Sequence, residues 1–144
     1  MKKLLRILRE FVLVLLPIAF VLAVCVARHL PAFGQAESYR FYLGASSSAT
    51  SFSSDSPLKD KLTAAGIAGE SAEYEGNRIA ELKELFRARL LFQEEACGVV
   101  NYYLYSPLLG ACVYLNGYAV NLHIAVKEDG TRTAAGTPII FGGY

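Results

Sequence analysis

"CVYLNGYAVNLHIAV", residues 112–126, decides how this chain folds. Asn116 and Gly117 tolerate the two positive-φ positions of a type I′ turn, so the apolar runs on either side predict a tight hairpin. That turn sets the register. Leu115 opposes Tyr118, Val113 opposes Val120, and Cys112 opposes Asn121. Side chains alternate across a strand, so Val120, Leu122, Ile124 and Val126 share a core face with Val113 and Leu115. The opposite face carries Ala119, Asn121, His123, Ala125 and Lys127 beside Cys112 and Tyr114. His123 is therefore expected on the less apolar sheet face, half-buried.

Working outward, "RLLFQEEA" and "VVNYYLYS" read as a second hairpin around Cys97-Gly98, with Glu94 opposite Asn101 and Glu95 opposite Val100. Asp129-Gly130 marks another turn, and "TAAGTPIIFGGY" should close the sheet, with Pro138 at a strand start or edge. Upstream, "SYRFYLG" alternates as a strand. The seven serines between 45 and 56 read as a turn or edge hairpin. No Gly-x-Ser-x-Gly elbow presents one of them as a nucleophile. Ser56-Pro57 starts a helix whose apolar side is Leu58, Leu62 and Ala65, closed at Gly66, with Ile67 returning onto Leu62. "ESAEYEG" reads as a short, poor strand. Asn77 caps a second helix over about 78–88, with Ile79, Leu82, Leu85 and Phe86 as its stripe. The expected class is α+β: an N-terminal membrane or signal helix, then a small antiparallel sheet backed by two helices.

The N-terminal part sets the compartment. Residues 1–10 are basic through Lys2, Lys3, Arg6 and Arg9. Phe11–Ala27 carries no charge, and seventeen such residues span roughly 25 Å as a helix, the short limit for a bilayer. Residues 11–30 are thus expected to be a transmembrane helix or signal segment, with the N-terminus inside and the rest outside. Residues 31–37 read as a linker and 38–144 as the exported domain. Gly34-Gln35-Ala36 places small residues at the minus-three and minus-one positions of a cleavage after Ala36, so secretion is the alternative to anchoring. Val24 before Cys25 does not fit a lipoprotein signal. Residues 37–144 hold nine basic and twelve acidic side chains, a net charge of about −3. With no basic run to displace counterions, nucleic acid is excluded as a partner.

Chemistry is sparse. A metal site needs three or four ligands, and around His123 the sequence offers Cys112 and one carboxylate, so neither metal nor cofactor is expected. An envelope hydrolase using Glu94 or Glu95 with His123 or a tyrosine is the alternative function. The adjacent glutamates point to opposite faces, however, and cannot act as a facing pair. The favoured site is a binding face of His123, Asn121, Tyr114, Tyr103, Tyr105 and Asn101, where tyrosines and amides would take an envelope protein, peptide or glycan. No catalytic residue is assigned.

Three stretches carry a resemblance: "ELKELFRARLLFQEEA", "VNLHIAV" and the terminal "GTPIIFGGY". Residues 79–144 resemble the C-terminal half of the YwmB family, exported proteins of Gram-positive, spore-forming bacteria. In that family an Asn-Leu-x-Ile-Ala strand precedes a Gly-Thr-Pro-Ile strand. Here these are Asn121, Leu122, Ile124 and Ala125, then Gly136, Thr137, Pro138 and Ile139. YwmB proteins carry more sequence ahead of this unit. The resemblance implies a TATA-box-binding-protein-like fold, a curved antiparallel sheet backed by helices, and a link to sporulation or cell-wall biology. It implies no catalytic residue, and the acidic, exported character argues against DNA.

Overall fold

The computed structural model describes residues 2–28 and 30–142 and divides the chain into two units, 1–30 and 31–144. The first unit is the helix α1 (Lys2–Arg28), which runs through Pro17. Its Arg9–Ala27 stretch of 19 residues has a mean hydropathy of 2.7, and none of it is buried. A helix of that length and composition can cross a bilayer, and a signal sequence meets the same test.

The second unit is α+β, as expected, with a larger sheet than the sequence suggested. Its elements are β1 (Ser38–Tyr42), β2 (Ser51–Ser54), α2 (Pro57–Thr63), β3 (Gly69–Glu75), α3 (Ile79–Leu85), β4 (Arg89–Ala96), β5 (Val99–Tyr105), β6 (Val113–Leu115), β7 (Tyr118–Val120), β8 (Leu122–Lys127) and β9 (Arg132–Thr137). Seven strands form one antiparallel sheet in the order β2-β1-β3-β9-β8-β5-β4, and β6 and β7 pair separately. Both hairpin registers follow their turns. Asn116 and Gly117 have φ of 50° and 81°, and Cys97 and Gly98 have 54° and 76°, the sign that type I′ turns require. Leu115↔Tyr118, Val113↔Val120, Glu94↔Asn101 and Glu95↔Val100 all pair as expected.

One face of the sheet holds the main core. Ala72, Tyr74, Leu104, Leu122, Ile124, Val126 and Ala135 pack there against Leu82 and Phe86, at α3 and its C-terminal end, and against Phe33. Phe33 meets Phe86 edge-on, with ring centroids 5.5 Å apart. At the start of α3, Ile79 N–H donates to Asn77 Oδ1 at 3.1 Å. Arg78 N–H donates to Thr133 Oγ1 at 3.0 Å, which ties the helix to β9.

Five expectations need correction. "ESAEYEG" is not the short, poor strand expected: β3 has seven residues and lies inside the sheet between β1 and β9. The C-terminal stretch does not run on as one strand. β9 ends at Thr137 ahead of the cis Thr137–Pro138 peptide, and Pro138 has no N–H to extend the ladder. Ile140 then packs over the second sheet face, on Ala125 and Ala134. In consequence His123 is buried, 5 % exposed, where half-burial was expected. On the helices, Leu58, Leu62 and Leu85 face solvent instead of core, because α2 closes no core and Phe86 takes the inward position on α3.

The fifth correction concerns residues 31–37, which are part of the folded unit and not a linker. Phe33 is 3 % exposed. Ala32 N–H donates to buried Glu70 Oε1 at 2.6 Å, and Lys61 Nζ donates to that same oxygen at 2.9 Å. Ala36 N–H reaches the Tyr39 hydroxyl at 3.0 Å, and Glu37 N–H reaches Glu73 O at 2.8 Å. This segment therefore pairs with the sheet and plugs the core beside α3.

Candidate functional site: the second sheet face

Register places Tyr103 beside His123 and Phe92 beside Tyr103. Phe92 stacks on Tyr103 with centroids 4.5 Å apart, and Tyr103 on His123 at 4.6 Å. Tyr118 extends the row at 5.8 Å from Phe92. The row thus runs from exposed Tyr118 to buried His123. Interior rings of such a row spend their faces on one another, so Tyr103 offers no free face to a sugar.

His123 is held as a neutral ring. Ile140 N–H donates to Nδ1 at 3.4 Å, so Nε2 carries the hydrogen and donates to Asn101 Oδ1 at 3.0 Å. Burial pushes its pKa from 6.5 down to about 4. Asn101 is itself buried. Burial, and then the nearby Glu94 carboxylate, raise the Tyr103 hydroxyl pKa. A neutral imidazole with both nitrogens engaged and little solvent contact is built for structure, not proton transfer.

The other expected site residues do not join this row. Asn121 is fully buried between β7 and β8, outside both ladders. Its Oδ1 accepts from Ser106 N–H at 2.7 Å, while Nδ2 donates to Ser106 O at 2.8 Å and Leu109 O at 3.0 Å. Its amide is saturated by the 106–109 loop and is structural. Tyr105 lies on β5 under the Arg89 guanidinium, 5.3 Å from the ring centroid. Tyr114 is 80 % exposed on the separate hairpin. His123, Tyr103 and Asn101 are thus brought together, while Asn121 and Tyr114 stand apart. Cys97 and Cys112 are both exposed and unbridged. No group of three metal-ligating side chains occurs among the described residues.

Sequence reasoning missed a cleft of about 200 Å³ on the same sheet face, lined by Glu73, Val99, Ala125, Lys127, Arg132 and Ala134. Ala125 and Ala134 are directly paired across β8 and β9, and their short side chains leave the hollow. Ile140 covers the face on one side of them. Arg132 Nη1 lies 3.6 Å from Glu73 Oε2 at the rim. The signal was present in "TAAGT", a strand too small-sided to fill its own face, flanked by Lys127 and Arg132.

Comparison with family models, with curated proteins and with solved structures finds no match to this chain.

Proposed function

We propose that this protein is a membrane-anchored, outward-facing binding module of the cell envelope, without catalytic activity of its own. The observation that carries the reading is the continuity of the apolar helix with the folded unit. Arg9–Ala27 is long and apolar enough to cross a bilayer. Six residues after it, Phe33 is already a core side chain of the sheet unit. Cleavage after Ala36 would remove Phe33 from its core and Ala32 from buried Glu70, at a cost of about 3–5 kcal/mol for the ring alone. That favours retention of the helix over secretion. The basic residues before it favour an inside N-terminus. The Phe11–Ala27 stretch is then the membrane contact, and the acidic sheet unit faces envelope proteins, peptides or glycans. The resemblance to the YwmB family adds a sporulation or cell-wall setting in a Gram-positive cell. Non-catalytic character is supported by the locked, neutral His123 and by Glu94 and Glu95 pointing to opposite faces.

The test is fractionation with protease shaving of intact cells. Recovery in membranes, with residues 38–142 digested from outside, supports the reading. A product released with Glu37 at its N-terminus, or a chain protected until lysis, overturns it.

A further inference from the structure

Resting on that anchored reading, we propose that the sheet unit itself lies on the bilayer surface, seated by the end of the sheet at which Ala32 enters it. The register defines that end. Tyr42 pairs with Gly69, Glu70 with Thr137, and Leu104 with both Leu122 and Leu90. β1, β5 and β9 finish there, and β3, β4 and β8 begin there. Ala32 N–H donates to Glu70 at this end, as does Lys61 from the last turn of α2. Ser106 Oγ donates to Phe86 O, which brings the C-terminal end of α3 there too. The chain links at this end are 43–50, 64–68, 86–88 and 106–121, with 138–142 after β9. Together they hold no Asp, Glu or Lys, and a single Arg, Arg87. The links at the opposite end hold Asp55, Arg78, Glu128 and Asp129. Exposed apolar side chains follow the same division. Leu43, Leu62, Leu85, Leu90 and Leu108 are all exposed at or beside the Ala32 end. Tyr114 and Tyr118 are exposed on the hairpin inserted there between β5 and β8. Leu58, in the first turn of α2, is the exception.

Charge and chain length name lipid as the occupant. Lys61 and Glu70 pair with one another at 2.9 Å. Across the end of α3 and the start of β4, Lys83, Arg87 and Arg89 outnumber Glu84. Among the described residues this end is therefore basic, in a unit that is acidic as a whole. Exposed leucine and tyrosine with arginine at the margin suit an interfacial surface, which gains both from buried apolar area and from anionic headgroups. The apolar stretch ends at Ala27, and the five residues from there to Ala32 extend at most about 17 Å. The headgroup layer takes about 5–7 Å of that. The gap that remains is too narrow for a partner domain, whereas the bilayer is always within reach.

The test uses the full chain in vesicles of equal parts phosphatidylcholine and phosphatidylglycerol, doped with a lipid that carries a nitroxide on its headgroup. Cys112 lies in the 106–121 link and Cys97 in the turn at the opposite end, and both are exposed. Each is labelled with bimane after the other cysteines are replaced, by Cys25→Ala with Cys97→Ala or by Cys25→Ala with Cys112→Ala. Emission from the Cys112 label should fall by more than about half while the Cys97 label stays bright, since a seated apolar face reaches the headgroup boundary. Leu85→Glu with Leu108→Glu, both at exposed positions, should return the Cys112 label to the Cys97 level. Unchanged near-UV circular dichroism would show that this variant folds. Equal quenching at both cysteines, no quenching at Cys112, or quenching that survives the double variant would overturn the proposal. So would a Cys112 label shielded from aqueous iodide yet untouched by the lipid nitroxide, which marks a second copy or another protein on this end. Recovery of the chain with the vesicles reads the anchor separately, so a failed anchor and an unseated sheet unit give different results.

Discussion

Lowering the pH from 7.5 to 5.0 should cost the sheet unit about 2 kcal/mol through His123 alone. In the unfolded chain this imidazole takes up its proton near pH 6.5. In the fold, burial holds its pKa down at about 4. Between those values the unfolded state binds more protons, so stability falls as the pH falls. It is whole above about pH 6.5, and the loss is complete below about pH 4. At pH 5.0 the unfolded state gains a protonation factor of about 30 over the folded state, or about 2 kcal/mol. For a unit of this size that is a shift in Tm of roughly 10 °C. All nine tyrosines lie beyond residue 37, so near-UV circular dichroism of the full chain reports this unit without interference from α1. Urea unfolding should be followed at both pH values for the native protein and for His123→Gln, whose side chain does not titrate there. Carboxylates shared by both proteins cancel in the difference. Curves with the same pH dependence would refute the buried, neutral assignment.

Three further outcomes follow from the packing. Phe33→Ala should destabilise by about 3–5 kcal/mol in the same urea assay; a change below about 1 kcal/mol would return residues 31–37 to the status of a linker. Asn121→Leu strips partners from Ser106 N–H, Ser106 O and Leu109 O. Buried groups left unsatisfied cost about 1–3 kcal/mol each, so a loss of at least about 3 kcal/mol is expected, and a neutral result would contradict the structural role. Gly136→Ala would put a Cβ 2.7 Å from Ile140 Cγ1 and 2.9 Å from Ile140 N. Hydrogen exchange at Ile140 should then accelerate as the segment lifts from His123, and unchanged protection would count against the covering role.

Local rules carried much of this fold. Asn116-Gly117 and Cys97-Gly98 determine their registers through turn geometry, a short-range effect. The 3.6-residue spacing of Ile79, Leu82 and Phe86 likewise picks out α3. What failed was long-range. Nothing local shows that "ESAEYEG", with Ala72 and Tyr74 as its core residues, sits between two partner strands. Nor does the pattern of residues 120–126 show that Ile140 returns to cover the second face. His123 was therefore expected to be half-buried, and Asn121 was expected on a continuous strand, not in the break where it binds the 106–109 loop. The binding face fared similarly: alternation placed Tyr103, Asn101 and His123 together, but ring stacking consumes the surface they were expected to offer. Phe33 was missed because a single aromatic beside a membrane-length helix looks like part of that helix's flank.

The most direct measurement is the intact mass of the native protein recovered from membranes. Continuity of anchor and fold predicts a membrane-bound species whose mass still includes the Arg9–Ala27 helix together with Phe33 and the sheet unit. A mature species beginning at Glu37 and free of the membrane, folded without Phe33, would contradict it.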